Sequence, residues 1–291
     1  MALLLSVLEQ GMIYGILALG VYITYKILDF PDLTVDGSFP FGAAITVFMI
    51  SKLGLPPILT LPVSFLGGAL IGICTGLIHV KLKVRDLLSG IIMMTGLYTI
   101  NLWVAGSGYV PIFNQKTIFD NDLVNAVIPS FLANYKRIII ILVITMVAKY
   151  LLDWYMSTKS GFLLRAVGDN DTIVTSLGVD KGLVKIVGLS IANGLVALSG
   201  CIYAQQQRSF EISIGTGAVV IGLASVIIGT SLFKKMTLLR VTSSVIIGSI
   251  LYKGCVALAM FAGIDPNAIK LVTSVLFLII LVISMDRKKV D

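Results

Sequence analysis

Polar chemistry is scarce in this sequence. Of its 291 residues one is a histidine, three are cysteines and 13% carry charge. His79 sits beside Lys81, Lys83 and Arg85 with no thiol nearby, while Cys74, Cys201 and Cys255 each fall inside an apolar run without metal-ligand spacing. That set builds neither a metal site nor a catalytic triad, so the sequence argues against an enzyme. The cysteines read instead as small, buried packing residues. A Gly-x-x-x-x-Gly-Lys-Ser/Thr phosphate loop is also missing, so the chain does not hold ATP in that way, and any ATP energy has to come from a partner. Met1 to Gln10 has no basic residue. A cleaved signal peptide needs one at its start, so the N-terminus is expected to be retained. No long polar block interrupts the apolar runs, which makes residues 1–291 one membrane domain with no soluble appendage.

What the chain has in abundance is hydrocarbon. Hydrophobic residues make up 57% and the mean hydropathy is +1.00, far from soluble domains, where roughly a quarter of residues are charged. The net charge of +7 does not point to nucleic acid, because the basic residues sit at the ends of apolar runs, as membrane orientation requires. Crossing the hydrocarbon core takes about 20 apolar residues. Segments are expected at 9–28, 41–53, 58–79, 87–105, 137–156, 184–204, 216–233, 239–262 and 268–285. The reading is therefore an all-α polytopic membrane protein with about 8 to 9 segments.

Basic clusters at Lys81–Arg85, Lys159–Lys185, Lys234–Arg240 and Arg287–Lys289 define the cytoplasmic side and put the C-terminus there. Gly106–Tyr135, with the amphipathic Leu123–Leu132, then lies outside. Counting backwards places the N-terminus outside as well. Small-xxx-small spacing at Gly11/Gly15 and Gly68/Gly72/Gly76, with Gly96 in its own segment and Gly222 with Gly229 further along, predicts close helix packing.

The organising stretch is a polar interruption at 29–42, with three carboxylates, two prolines and two glycines between apolar runs. Irregular backbone at membrane depth survives only where protein or a water-filled cavity satisfies it. The stretch is read as lining a path through the membrane, through Asp32, Thr34, Asp36, Gly37, Ser38 and Phe39; an ordinary aqueous loop is the alternative. Asp32 and Asp36 either face an amino group or cap helix ends. A second short segment, 216–233, follows Gln205–Gly217 with Arg208 and Glu211. Paired interruptions in two halves point to a substrate route, and Glu211 joins the candidate set. Lys253, deep in its segment, either pairs with an aspartate or snorkels outward.

Between Ser157 and Lys185 the part from Asp169 reads as a short helix. Asp169 or Asn170 starts it, Ile173, Val174 and Leu177 form one apolar side, and Gly178 ends it. Such a helix fits a partner's groove or lies on lipid headgroups.

The stretch Gly161-Phe162-Leu163-Leu164-Arg165-Ala166-Val167-Gly168-Asp169-Asn170, followed by Ser176-Leu177-Gly178-Val179, resembles the cytoplasmic loop of permease subunits of ATP-binding-cassette importers in the branched-chain amino acid and ribose permease superfamily. Asp32-Leu33-Thr34-Val35-Asp36-Gly37-Ser38 resembles their broken second helix, and Gly215-Thr216-Gly217-Ala218 through Gly229 their late glycine-rich helix. The first of these looks like the subgroup tied to tryptophan, tyrosine or other amino acid uptake. The Asn-Phe-Ala-His-Gly turn of branched-chain permeases is absent.

This resemblance implies a type II-like importer fold in a bacterial cytoplasmic membrane and a second permease subunit, as a homodimer. It also implies ATPase subunits that bind ATP and Mg, and an extracytoplasmic substrate-binding lipoprotein. By the same resemblance 157–185 is the coupling loop, with Ile173, Val174 and Leu177 filling the ATPase groove. Arg165, Ala166, Gly168, Asp169, Asn170 and Gly178 set its register. The competing reading is a proton-coupled carrier with Asp32, Asp36 and Glu211 as relay groups.

Overall fold

In hydrocarbon every backbone N–H and C=O must find its partner inside the segment, so membrane-length apolar runs become helices. The computed structural model describes residues 2–120, 135–176, 178–233, 240–263, 268, 271–279 and 282. Helix α1 (Ala2–Val21) widens into a π-helical turn over Tyr22–Ile27, and α2 (Val35–Val47) into another over Phe48–Lys52. A 3-10 turn, Pro57–Leu59, leads into α3 (Thr60–Lys81), followed by α4 (Asp86–Ala105) and strand β1 (Tyr109–Pro111). Next come α5 (Lys136–Met156), α6 (Lys159–Asp169), α7 (Asp171–Ser176) and α8 (Lys181–Gln207). Strand β2 (Ser209–Glu211) and the turn Ile212–Gly215 precede α9 (Ala218–Leu232) and α10 (Val241–Phe261), and residues 271–279 are helical. The two strands pair antiparallel, with Val110 opposite Phe210.

Among the described residues seven helical stretches are long and apolar enough to cross a membrane. They match the expected segments apart from 41–53 and 268–285. The first of these lies within α2 and its π-helical turn; the second is only partly described, Leu123–Leu132 and the basic cluster Arg287–Lys289 lie outside the described residues, and of Lys234–Arg240 only Arg240 is described.

α8 is the axis of the bundle, the most enclosed of the candidate spans. α3 lies on it antiparallel, because a Cβ on Gly72 would overlap the Leu189 carbonyl and one on Gly68 the Asn193 carbonyl. Such approach lets main chains touch, which is how helices associate where lipid removes the hydrophobic driving force. Gly11 and Gly15 do the same for α1 against Ile250 and Ile246 of α10. Gly96 departs from the expectation: nothing lies within 4 Å of its Cβ direction. The cysteines also divide, since Cys201 is buried while Cys74 and Cys255 are exposed on outer helix faces, where lipid serves an apolar thiol as well as protein does.

One end of the bundle gathers most of the described basic residues. His79, Lys83, Arg85, Asp180 and Lys185 line one cleft there. Asp153 of α5 binds Lys149 at 3.4 Å and Arg240 at 3.2 Å, and accepts from Thr242 Oγ1 at 2.7 Å. The opposite end carries the β1–β2 pair, the Arg208–Asp120 ion pair and the Gln206 amide, which donates to Glu9 at 3.2 Å.

The interruption is shorter than expected, and this corrects the reading of 29–42 as irregular. Only residues 28–34 break the helix; α2 resumes at Val35 and takes in Gly37, Pro40 and Gly42. A proline inside a helix deprives the carbonyl four residues earlier of its donor. Here that carbonyl, on Asp36, is covered by Gly215, whose Cβ would overlap it.

Candidate translocation site

Asn193, in the middle of α8, holds the break together. Its Nδ2 donates to Asp32 Oδ2 at 2.8 Å and to the Leu189 carbonyl at 3.1 Å, while Ser38 Oγ donates to its Oδ1 at 2.6 Å. Asp32 Oδ1 accepts from the Thr34 amide at 2.9 Å, and the Thr34 and Thr75 hydroxyls are 3.1 Å apart. Asp32, Thr34, Ser38, Thr75 and Asn193 are all buried. A buried polar group without a partner costs several times what a made bond contributes, so this network specifies one arrangement of the break. Asn193 and Thr75 escaped the sequence reading. Their signal was present as isolated polar residues inside apolar runs, the kind that face a bundle interior.

Asp36 does different work. Its Oδ1 accepts from the Val219 amide at 2.8 Å and its Oδ2 from the Gly217 amide at 3.0 Å. It therefore caps the first turn of α9, whose N–H groups have no partner within that helix. Of the two roles left open for the aspartates, both side chains occupy structural ones here. Gly37 packs against Leu97 of α4, and the Gly37 carbonyl accepts from Asn101 Nδ2 at 3.1 Å. Glu211 lies exposed on β2, opposite Tyr109, accepting from Ser213 Oγ.

Lys253 lies elsewhere. Its ammonium sits 3.6 Å from the centroid of the Tyr14 ring, and the ion pairs of the described residues join it to neither Asp32 nor Asp36. Of the two alternatives left open for Lys253, pairing with Asp32 or Asp36 is not what the side chain does: it meets a ring face, and each aspartate is engaged elsewhere. Tyr14 stacks on Phe39 at 5.6 Å and meets Tyr203 edge-on at 5.8 Å, and Phe39 and Tyr203 are 5.5 Å apart. A charge at the centre of a membrane helix costs about 2.5–3.5 kcal/mol on insertion scales. A ring face returns about 0.5–2 kcal/mol of that.

In the central loop the expected short helix is present, starting at Asp171, and a second helix precedes it. Asp169 ends α6, Asn170 is extended at φ −160°, and α7 begins at Asp171. The Asn170 side chain accepts from the Thr172 amide at 3.1 Å, an N-cap that requires the extended backbone. Gly178 closes α7 at φ +75°. Arg165, Asp169 and Asn170 are exposed and Ala166 is half-buried. Val174 is fully buried within its own chain, which corrects the expectation that it fills a partner's groove: α7 uses it to attach to this chain. Leu177, and the side chain of Ile173, lie outside the described residues. Phe162, passed over in the sequence reading, is 59% exposed on α6, 6.0 Å from the Arg165 guanidinium.

Gly168 connects this loop to the break. A Cβ there would overlap the Ile27 carbonyl oxygen and lie 3.3 Å from the Leu28 Cα, while Leu28 also packs toward Gly188 of α8. The central-loop helix α6 thus rests on the end of the turn that follows α1, immediately before the chain turns through Asp29, at φ +50°, into Asp32.

A polytopic helical bundle with one discontinuous helix pair, a polar hub at the break and an amphipathic helix seated on its base is the architecture of a membrane permease. The chain belongs to the family described as the branched-chain amino acid transport system permease component, whose model matches residues 3–284. It is 40% identical over 275 residues to a tyrosine transport system permease protein of Clostridioides difficile, covering 94% of this chain and 89% of that one. It is 30% identical to an uncharacterized protein of Rickettsia prowazekii, over 96% of both chains. A probable branched-chain amino acid transport permease protein of Methanocaldococcus jannaschii is 26% identical, over 74% of this chain and 70% of that one. No solved structure matches.

Proposed function

We propose that the chain is one half of the membrane channel of an ATP-driven amino acid importer, with aromatic amino acids, tyrosine and tryptophan, as its first substrates. Two copies form the channel as a homodimer, each a single membrane domain over 1–291. Two ATPase subunits that bind ATP and Mg dock on the cytoplasmic face, and an extracytoplasmic lipoprotein delivers the substrate. The C-terminus is cytoplasmic, in a bacterial cell membrane. The substrate class rests on the similarity to the tyrosine transport permease.

The observation that carries the mechanism is the seat of Gly168 on Ile27. α6 and α7 present exposed Phe162, Arg165, Asp169 and Asn170 to a docked ATPase. Closure of the ATPase pair moves these helices, and with no side chain between Gly168 and Ile27 the displacement passes directly to the break. There the Asn193 hub and the Asp36 cap tie the break and α2 to α8 and α9. The path runs beside Thr34, Ser38 and Phe39 toward Lys253 and Glu211, opening to one side or the other as α2 shifts.

Proteoliposomes holding the permease, its ATPase and its binding protein test this reading. Uptake of labelled tyrosine should stop without ATP inside the vesicle and continue in the presence of a protonophore. Uptake that follows a proton gradient with no ATPase present would reject it in favour of a carrier.

A further inference from the structure

We infer that Lys253, with Tyr14, Phe39 and Tyr203, forms a binding site for the substrate inside the membrane domain. The ammonium takes the carboxylate and the aromatic group takes the side-chain ring. This deepens the reading above and rests on it for the identity of the substrate.

Four helices converge at this place. α1 supplies Tyr14, α2 Phe39, α8 Tyr203 and α10 Lys253. The three rings are mutually in contact, with centroids 5.5–5.8 Å apart, one pair stacked, one edge-on and one tilted. Of the three, the half-buried Tyr203 is the ring with a face or edge left to meet a further ring. Tyr14 and Phe39 are buried, whereas Tyr203 and Lys253 are half-buried and form the accessible part.

The cation is the informative member. An ionisable side chain within a membrane span marks a substrate pathway by default, with a partner to be named. The one described interaction of Lys253 is the Tyr14 ring face at 3.6 Å. A ring face directs a cation without neutralising it, so the ammonium keeps donor capacity for an anion. A zwitterionic amino acid has one anionic group, its carboxylate, and an aromatic amino acid adds a ring; Lys253 and Tyr203 both meet Tyr14, the ammonium 3.6 Å from its ring centroid and the second ring 5.8 Å from it.

The placement also links the site to the drive. Phe39 is carried on α2, one helical turn beyond the Asp36 cap and next to Ser38, which donates to Asn193. Any shift of α2 relative to α8 separates Phe39 from Tyr203 and opens the ring cluster. Binding and release are then two positions of one helix.

Uptake kinetics in proteoliposomes of the complete transporter decide the matter, using tyrosine, tyramine, which lacks the carboxylate, and leucine, which lacks the ring. Lys253→Gln should raise the KM for tyrosine tenfold or more and erase the preference for tyrosine over tyramine, while Lys253→Arg retains most of both. Tyr203→Leu should reduce the preference for tyrosine over leucine at least fivefold. Gel filtration with the ATPase bound shows that each variant has assembled. An unchanged KM and unchanged tyrosine-to-tyramine preference in Lys253→Gln, with only the maximal rate lowered, would overturn the site, as would a Lys253→Gln complex that fails to assemble when Lys253→Arg shows wild-type selectivity for neither pair. A wild-type complex that carries no aromatic amino acid would overturn the substrate reading itself, a result distinct from loss of the site alone.

Discussion

Asn193 and Asp32 are 161 residues apart in the chain and 2.8 Å apart in the fold. That bond turns a break in the membrane helix into a defined turn, since the amide also takes the Ser38 hydroxyl on the far side of the break. The consequences can be measured one contact at a time.

Asp32→Ala leaves the Thr34 amide and Asn193 Nδ2 each short of an acceptor in a buried place. The expected cost is about 3 kcal/mol, and Asp32→Asn, which keeps an acceptor for Thr34, should cost about 1 kcal/mol. Thermal unfolding of the two variants in the same detergent checks the order; equal melting points for Asp32→Ala and wild type would contradict the hub.

Asp36→Ala removes the acceptor of two amides at the start of α9. Loss of a cap costs about 1–2 kcal/mol. Hydrogen exchange should accelerate in a peptide covering 215–221 and stay unchanged in one from α3.

Two glycines that look alike in sequence should behave oppositely. Gly168→Ala forces a methyl group into the Ile27 carbonyl; overpacking of this kind costs about 1–3 kcal/mol and should lower ATP-driven uptake per ATP hydrolysed. Gly96→Ala has open space and, as a helix-interior change, should be neutral or stabilising by about 0.5–1 kcal/mol. Coupling ratios and melting points of the two variants, measured together, are the check.

In the central loop, Val174→Asp buries a charge within this chain and should destabilise α7 itself. Arg165→Ala, on an exposed side chain, should leave the fold intact and reduce ATPase binding. Co-purification of the ATPase with each variant, alongside proteolysis of the loop, separates the two effects.

Much of this was legible in the sequence because the governing patterns are local. Hydrophobic runs of membrane length named the helices, and the cap at Asn170 with its glycine stop at Gly178 placed α7 to within two residues. The extent of the break was not legible. Two prolines and two glycines read as irregular chain, yet Pro40 lies inside α2, with Gly215, far away in sequence, packed against the carbonyl it frees. Val174 likewise looked like the outward member of an apolar stripe, since a six-residue helix shows the same stripe whether it faces its own chain or another's.

The sequence by itself determined that this chain lives in a membrane and that its helices approach through glycines. Both follow from the solvent each segment needs and the room a missing side chain leaves. Only the tertiary structure decided what the charged groups do: Asp36 caps a helix, Asp32 shares an amide with Ser38, and Lys253 faces a ring. A charge is assigned its role by whichever partner lies within about 3–4 Å, and here those partners come from helices that spacing along the chain does not reveal.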